Sequence, residues 1–225
     1  MAGIIDISSG TAPRVGTGHL RPRDLNSSLL TDEVGWLQSV TLPLYGSPGG
    51  EHWGWIYQGW LIPNGQEALA IGRDASFAMV QAYENLYTFP VLSVRADGWI
   101  QVQYSETGSA WVHRSQLTLG EMPLMVESWE ARLQEQPRVY FLNTGTAQAL
   151  RSQPETATNL LSLIATDSLI EPLSFSGDWM NVRVTRPIAN CRPLTGATVT
   201  EGWMRWRSRN QESLVWYQPD AGCGQ

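Results

Sequence analysis

The chain has no lysine. All 15 of its basic residues are arginine, so it offers no amine for a Schiff base, no phosphate-loop lysine and no site of lysine modification. Charged residues make up only 16% of the 225 positions, and the net charge is −6. A nucleic-acid binder carries a basic surplus to neutralise phosphates, so that class of partner is not expected. The same sign argues against an anionic membrane surface. No apolar run reaches the roughly 18 residues that a membrane-spanning helix needs. Histidine is scarce, with only His19, His52 and His113, and no two have the spacing of a zinc site. There is no G-x-S-x-G elbow, phosphate loop or G-x-G-x-x-G turn. Glu51, Glu84 and Glu106 are scattered acids, and exposed acids are ordinary. The expectation is a protein without catalytic constellation, cofactor or metal.

Cysteine is also rare: Cys191 and Cys223 only. Both fall in irregular segments, which favours a disulfide between them over buried thiols. In the loop-entropy picture such a bridge contributes roughly 3–4 kcal/mol, and it points to an oxidising compartment. The opening "MAGIIDISSGTAPRVGTGHLRPRDLNSS" lacks the charged start and apolar segment of a signal peptide. A periplasmic or secreted protein whose signal is absent from this sequence is expected, with the cytoplasm as the alternative. Residues 1–34, rich in Ser, Gly, Thr and Pro without periodicity, read as a flexible segment.

Tryptophan is abundant. There are 11, against about 3 expected for this length from average usage. Two of them mark a repeat. "DGWIQVQY" (97–104) matches "GDWMNVRV" (177–184) from the tryptophan onward. The period of two places Ile100, Val102 and Tyr104 on one strand face, like Met180, Val182 and Val184. Each copy has a second tryptophan downstream, Trp111 in "SAWVHRSQL" and Trp203 in "EGWMRWRS". Each also has an upstream signature, "LYGSP" at Leu44–Pro48 and "LRSQP" at Leu150–Pro154. The second copy carries extra residues between its two tryptophans, around "TRPIANCRPLTGATVT". The first carries extra residues within "GWIYQGWLIPNGQEALAIGRDASFAMV". Insertions of this size belong at the surface. Between the copies, Met125, Trp129 and Leu133 recur every four residues, with Pro123 and Pro137 as start and stop. This predicts a short amphipathic helix whose apolar stripe packs on a barrel.

Laid out in order, the repeat resembles the bacterial Src-homology-3-like (SH3b-type) domain. The likeness is carried by "ALRSQPETATNLLSLIATDSLIEPLSFSGDWMNVRV" with "EGWMRWR", and by "DGWIQVQYSETGSAWVHRSQL". It implies a mainly β chain of two small SH3-like β-barrels joined by a short amphipathic helix. The boundaries would be a first domain at 35–120 with an insertion, a linker helix at 121–137 and a second domain at 138–225 with a long hairpin. The sequence departs from the pattern in its two insertions and in lacking the acidic ligand-binding loop of the eukaryotic relatives. The resemblance implies a non-enzymatic binding or scaffolding role at the cell envelope, with a peptide, a peptidoglycan fragment or another protein as partner. A structural subunit of a larger assembly is the alternative, and a cell-wall hydrolase a distant one.

The candidate ligand contacts are aromatic, because flat rings stack on sugars, prolines and peptide backbone. In "EHWGWIYQGW" they are His52, Trp53, Trp55, Tyr57 and Trp60. Alternation predicts Trp53, Trp55 and Tyr57 on one face. Tyr45 of "LYGSP" and the repeat tryptophans Trp99 and Trp111 complete the set, although the repeated positions read first as framework. "RWRSR" (205–209) reads as a solvated strand face.

Overall fold

The period-two pattern that runs through both copies folds as strands. The structure is a computed structural model that describes residues 3–6, 16–26, 28–31, 33–64, 76–142, 147–155, 159–165, 167–209 and 212–217. It divides into two units, the first ending at Ser128 and the second continuing from Trp129. Among the described residues no helix is long and apolar enough to cross a membrane.

Unit 1 contains β1 (Gly3–Asp6), β2 (Gly18–Pro22), β3 (Thr41–Tyr45), β4 (His52–Tyr57), β5 (Trp60–Pro63), β6 (Ser76–Tyr83), β7 (Leu86–Val94), β8 (Trp99–Gln103), β9 (Ser109–His113) and β10 (Leu124–Ser128). Unit 2 contains α1 (Trp129–Gln134), β11 (Tyr140–Phe141), β12 (Gln148–Arg151), β13 (Leu160–Ile164), β14 (Leu169–Ser176), β15 (Trp179–Ala189), β16 (Arg192–Arg205) and β17 (Val215–Trp216). The chain is therefore mainly β. Both main sheets are open strand paths among the described residues.

The same path occurs in both units. Unit 1 runs β7-β8-β9-β3-β4 and unit 2 runs β14-β15-β16-β12-β13. The correspondence holds residue by residue. Trp99 pairs with His113, Ile100 with Val112, Gln101 with Trp111 and Val102 with Ala110. Trp179 pairs with Arg205, Met180 with Met204, Asn181 with Trp203 and Val182 with Gly202. The closing pair is Tyr45 with Trp111 in one unit and Arg151 with Trp203 in the other. Irregularities recur too: β7 slips against β8 between Val91 and Ser93, and β14 against β15 between Pro172 and Ser174. The turn into each hairpin needs a left-handed residue, supplied by Gly98 (φ +93°) and Gly177 (φ +57°).

One face of each hairpin is buried, as the alternation requires. Ile100, Val102 and Val112, like Met180, Val182 and Met204, are at most 1% exposed. Tyr104 is only partly buried and packs at the margin of the unit 1 core. The insertion in the first copy supplies β5 on one edge of the shared path and β6 on the other. The extra residues of the second copy lengthen the ladder itself. Pairs run to Ala189–Arg192, and Asn190 and Cys191, both at positive φ, form the two-residue turn. Cys223 lies outside the described residues.

Two expectations change. Residues 18–22 are not a loose segment: β2 lies between β7 and β10. The 121–137 linker is a helix only from Trp129 to Gln134, and β10 takes up 124–128. Met125 therefore pairs with Arg21 in a sheet, while Trp129 and Leu133 are fully buried within unit 2. The four-residue spacing was satisfied by a strand followed by a helix, because β2 offers β10 a hydrogen-bonding edge.

That pairing is locked by charge. His19 and Glu127 are cross-strand partners. His19 Nε2 lies 2.8 Å from Glu127 Oε2, the Arg21 Nε–H donates to the same oxygen at 2.9 Å, and the Tyr83 hydroxyl donates to it at 2.8 Å. Burial opposes ionisation of Glu127, but these hydrogen bonds and the charge of His19 outweigh it and hold the carboxyl at about 2 instead of 4.5. A depressed carboxylate contributes its stability above its unfolded value and loses it as pH falls through the folded one. The contribution is about 3 kcal/mol. Between about pH 6 and about pH 3, denaturant unfolding of unit 1 should lose about 2 kcal/mol through this group. Glu127→Gln should remove that part of the slope and cost about 3–5 kcal/mol at neutral pH, because it strands buried cations. An unchanged slope in the variant would refute the assignment.

Candidate functional site

The outward face of the repeated hairpin carries the second set of side chains, and in each unit these border a groove. In unit 1 the cavity is about 370 Å³ and is lined by Tyr45, Gly49, Gly50, Trp99, His113 and Gln116. In unit 2 it is about 140 Å³ and is lined by Gln148, Ala149, Arg151, Trp179, Arg205 and Leu214. Tyr45 and Arg151 hold the same position in the repeat, as do Trp99 and Trp179, and His113 and Arg205. The two cavities therefore occupy one place in the shared strand path.

In unit 1 the site is a connected row of rings. Trp55 meets His52 at 4.8 Å between centroids, His52 meets Tyr45 at 5.5 Å, Tyr45 meets Trp99 at 5.2 Å and Trp99 meets His113 at 5.2 Å. All are edge-to-face, the arrangement that ring quadrupoles favour. Side-chain hydrogen bonds hold the row. Gln116 Nε2 donates to the Tyr45 hydroxyl at 2.8 Å while its Oε1 accepts from the His113 backbone N–H. His113 Nε2 donates to the Asp97 carbonyl, and its Nδ1 accepts from Ser115. Asn64 donates to the His52 carbonyl and to Nδ1 of its ring. The proton of His52 is thereby placed on Nε2, a buried donor with no hydrogen-bond acceptor among the described residues.

The structure brings together Tyr45, His52, Trp55 and Trp99 from the sequence candidates and adds His113 and Gln116. Trp53 is not with them. A bulge in β4 pairs Tyr45 with His52 and Leu44 with Gly54, so Trp53 is the extra residue and its side chain leaves the alternation. It packs at the unit 1 core and stacks on Tyr104 at 5.5 Å. Tyr57 is exposed at the far end of β4. Trp60 begins β5, beyond the turn. Trp111 shares the outer face of the hairpin, opposite Gln101 and Tyr45, but does not line the cavity.

In unit 2 the rings are replaced by guanidinium groups. Arg205 lies over the Trp179 ring at 4.8 Å, and its Nη1 is 3.4 Å from Asp178. Arg207 donates to the same carboxylate at 3.0 Å and lies over the Trp206 ring at 4.7 Å. The "RWRSR" segment is thus not simply solvated. Arg205 and Arg207 are fixed between an acid and two tryptophans. The signal for these residues, and for His113, was present in the repeat: extending the match from Trp111 and Trp203 by two positions pairs His113 with Arg205.

Among the described residues no group of three or more histidine, cysteine or acidic side chains is placed to hold a metal ion. One cluster has the outline of a hydrolytic triad. Thr88 Oγ1 lies 2.9 Å from His19 Nδ1, and His19 in turn contacts Glu127. Thr88 and His19 are both 0% exposed, and a nucleophile must reach its substrate. Sealed in the sheet, this cluster is a structural lock.

Gln116→Ala should free the Tyr45 phenol and open the turn after β9. The cost should be about 1 kcal/mol, with the β8–β9 ladder intact by amide hydrogen exchange. Loss of ladder protection would show that Gln116 supports the sheet and not the groove. Neither a family model nor a curated protein matches the chain.

Proposed function

We propose that the chain is a non-enzymatic binding protein built from two SH3-like units, each presenting a ligand groove at the same place. The observation that carries this reading is the coincidence of the two cavities with equivalent repeat positions. A framework repeated only for stability has no reason to keep a concave, side-chain-lined groove at the same register in both copies. The unit 1 cavity falls within the usual size range of small-ligand sites. Its ring faces suit a peptide, a peptidoglycan fragment or an extended segment of a partner protein. The resemblance of "DGWIQVQY" and "GDWMNVRV" to SH3b-type domains supports a location at the cell envelope, and the expected Cys191–Cys223 bridge fits an oxidising compartment.

Retention of the full chain on purified peptidoglycan and on immobilised envelope extract tests the reading. Binding to at least one is expected, with Trp99→Ala weakening it about tenfold or more and leaving the melting temperature within a few degrees. No retention on either matrix would sink it. Thiol titration of the unreduced, unfolded protein should find no reactive thiol, and two reactive thiols would remove the support from compartment.

A second reading, an assembly subunit, rests on β13. This edge strand exposes Leu160, Leu161 and Leu163, each about half accessible. The equivalent strand of unit 1, β4, has its edge paired by β5. Exposed apolar edge strands are templates for pairing. A sedimentation mass that stays monomeric at high concentration, with no partner copurifying, would count against it.

A further inference from the structure

We infer that unit 1 takes the sugar part of a ligand, an uncharged glycan chain laid along its row of rings. The inference rests on the binding reading above and names the ligand chemistry of that same groove. Three observations lead there. The first is charge. β3, β4, β5, β8 and β9 form the outward face that carries the groove, and not one of these strands contains an acid or an arginine. Unit 2 shows that the fold does not impose this. Where unit 1 has Gln103, Ser109 and His113, unit 2 has Arg183, Glu201 and Arg205 at the equivalent pairs of the ladder. Tyr45 likewise answers to Arg151. The nearby Arg95 and Asp97 are paired with each other. An ionic ligand on this face would give up hydration without gaining a counter-charge, which a neutral ligand avoids.

The second observation is backbone pairing. A peptide that binds as an added strand needs an unpaired sheet edge. The groove offers none: β8, β9, β3 and β4 each have a strand on both sides, and β5, which ends the path, gives no residue to the cavity. Recognition falls to side chains. A proline-rich segment needs no edge, but its prolines have no N–H to donate. The groove presents both a donor and an acceptor from neutral groups. The Tyr45 hydroxyl accepts from Gln116, and its own hydrogen meets no acceptor among the described residues. The Gln116 carbonyl oxygen accepts from the His113 backbone and keeps a second lone pair. A sugar hydroxyl donates and accepts, so it answers both.

The third observation is the length of the row. Trp55, His52, Tyr45, Trp99 and His113 follow one another at 4.8, 5.5, 5.2 and 5.2 Å between centroids, and all five are partly exposed. Because neighbours meet edge to face, ring faces and ring edges alternate along it. A pyranose is two-natured in the same way, with apolar C–H faces and a rim of hydroxyls. Five rings outrun a single sugar, so a chain of sugars gains contacts as it lengthens.

The test is calorimetric titration of the full chain with N-acetylglucosamine oligomers and with cellulose oligomers of one to six sugars. Sugar-free peptidoglycan stem peptides and a proline-rich peptide are titrated beside them. A glycan series should bind, with affinity rising at least about tenfold from the shortest chain to the longest. Comparing the two series shows whether an acetamido group is read. The peptides should bind at least about tenfold more weakly than the longest glycan. Trp99→Ala should weaken the longest glycan about tenfold or more, and Trp55→Ala should flatten the rise with length. His113→Arg is the variant that spares the fold, because unit 2 carries an arginine at this place, over the Trp179 ring at 4.8 Å. It should cover the Trp99 face with a charge and cost at least about tenfold in glycan affinity, with the melting temperature within a few degrees.

Failure of both glycan series would overturn the inference. So would a peptide that binds within about tenfold of the longest glycan, a longest chain that binds no better than a single sugar, or a glycan affinity that none of the three variants changes. Retention on peptidoglycan or extract is a separate readout. If it depends on Trp99 while the glycans fail, the binding reading stands and only the glycan assignment falls.

Discussion

The register of the two tryptophan hairpins is the constraint on which the rest depends. Side chains on a strand alternate faces, so a slip of one residue between β8 and β9 would exchange Ile100 and Val102 for Trp99 and Gln101 at the core. The buried face sets that register. Once it is set, Trp99 and His113 are side by side on the outer face, and Tyr45 is delivered beside Trp111 by β3. Core packing thus decides which side chains border the groove, and the chemistry of those side chains decides what the groove presents. The same argument places Trp179, Arg205 and Arg151 in unit 2. Framework and candidate site are opposite faces of the same hairpin, so the outer residues can change chemistry between copies while the inner ones stay apolar.

The first unit adds a polar lock to this apolar scheme. Glu127 draws β2 against β10 by accepting from His19, Arg21 and Tyr83. Buried charges are costly unless their partners are in place, and here three donors from two strands, β2 and β6, converge on one carboxylate. The lock is asymmetric: unit 2 extends its sheet by lengthening β15 and β16, and Arg183 pairs across that ladder with Glu201 in full solvent. Exposed pairs of that kind contribute little.

Much of the framework was legible in the sequence. The period-two pattern located the hairpins and the buried residues Ile100, Val102, Met180, Val182 and Val184, because alternation is a local property of strands. The repeat also located both insertions. Two kinds of feature were not legible. The β4 bulge moves Trp53 away from Trp55, and no local composition announces it. The pairing of β2 with β10 joins residues more than a hundred positions apart, so Met125 could satisfy a helical spacing by coincidence until β2 supplied a partner. For the candidate site, the sequence pointed to aromatic clustering, and of its candidates Tyr45, His52, Trp55 and Trp99 stand together in the structure. It undervalued its own repeat, which already aligned the positions of His113 and Arg205.

The distribution of tryptophan has an optical consequence. Trp36, Trp129, Trp179, Trp206 and Trp216 are buried, while Trp53, Trp55, Trp60, Trp99, Trp111 and Trp203 are partly exposed. Two populations of indole in unlike surroundings give overlapping emission bands. An event at either groove alters the surroundings of one ring directly, Trp99 or Trp179, against the light of ten others. Bulk emission is therefore a poor reporter of an event at one groove, and resolving one groove from the other requires a label carried by a single ring.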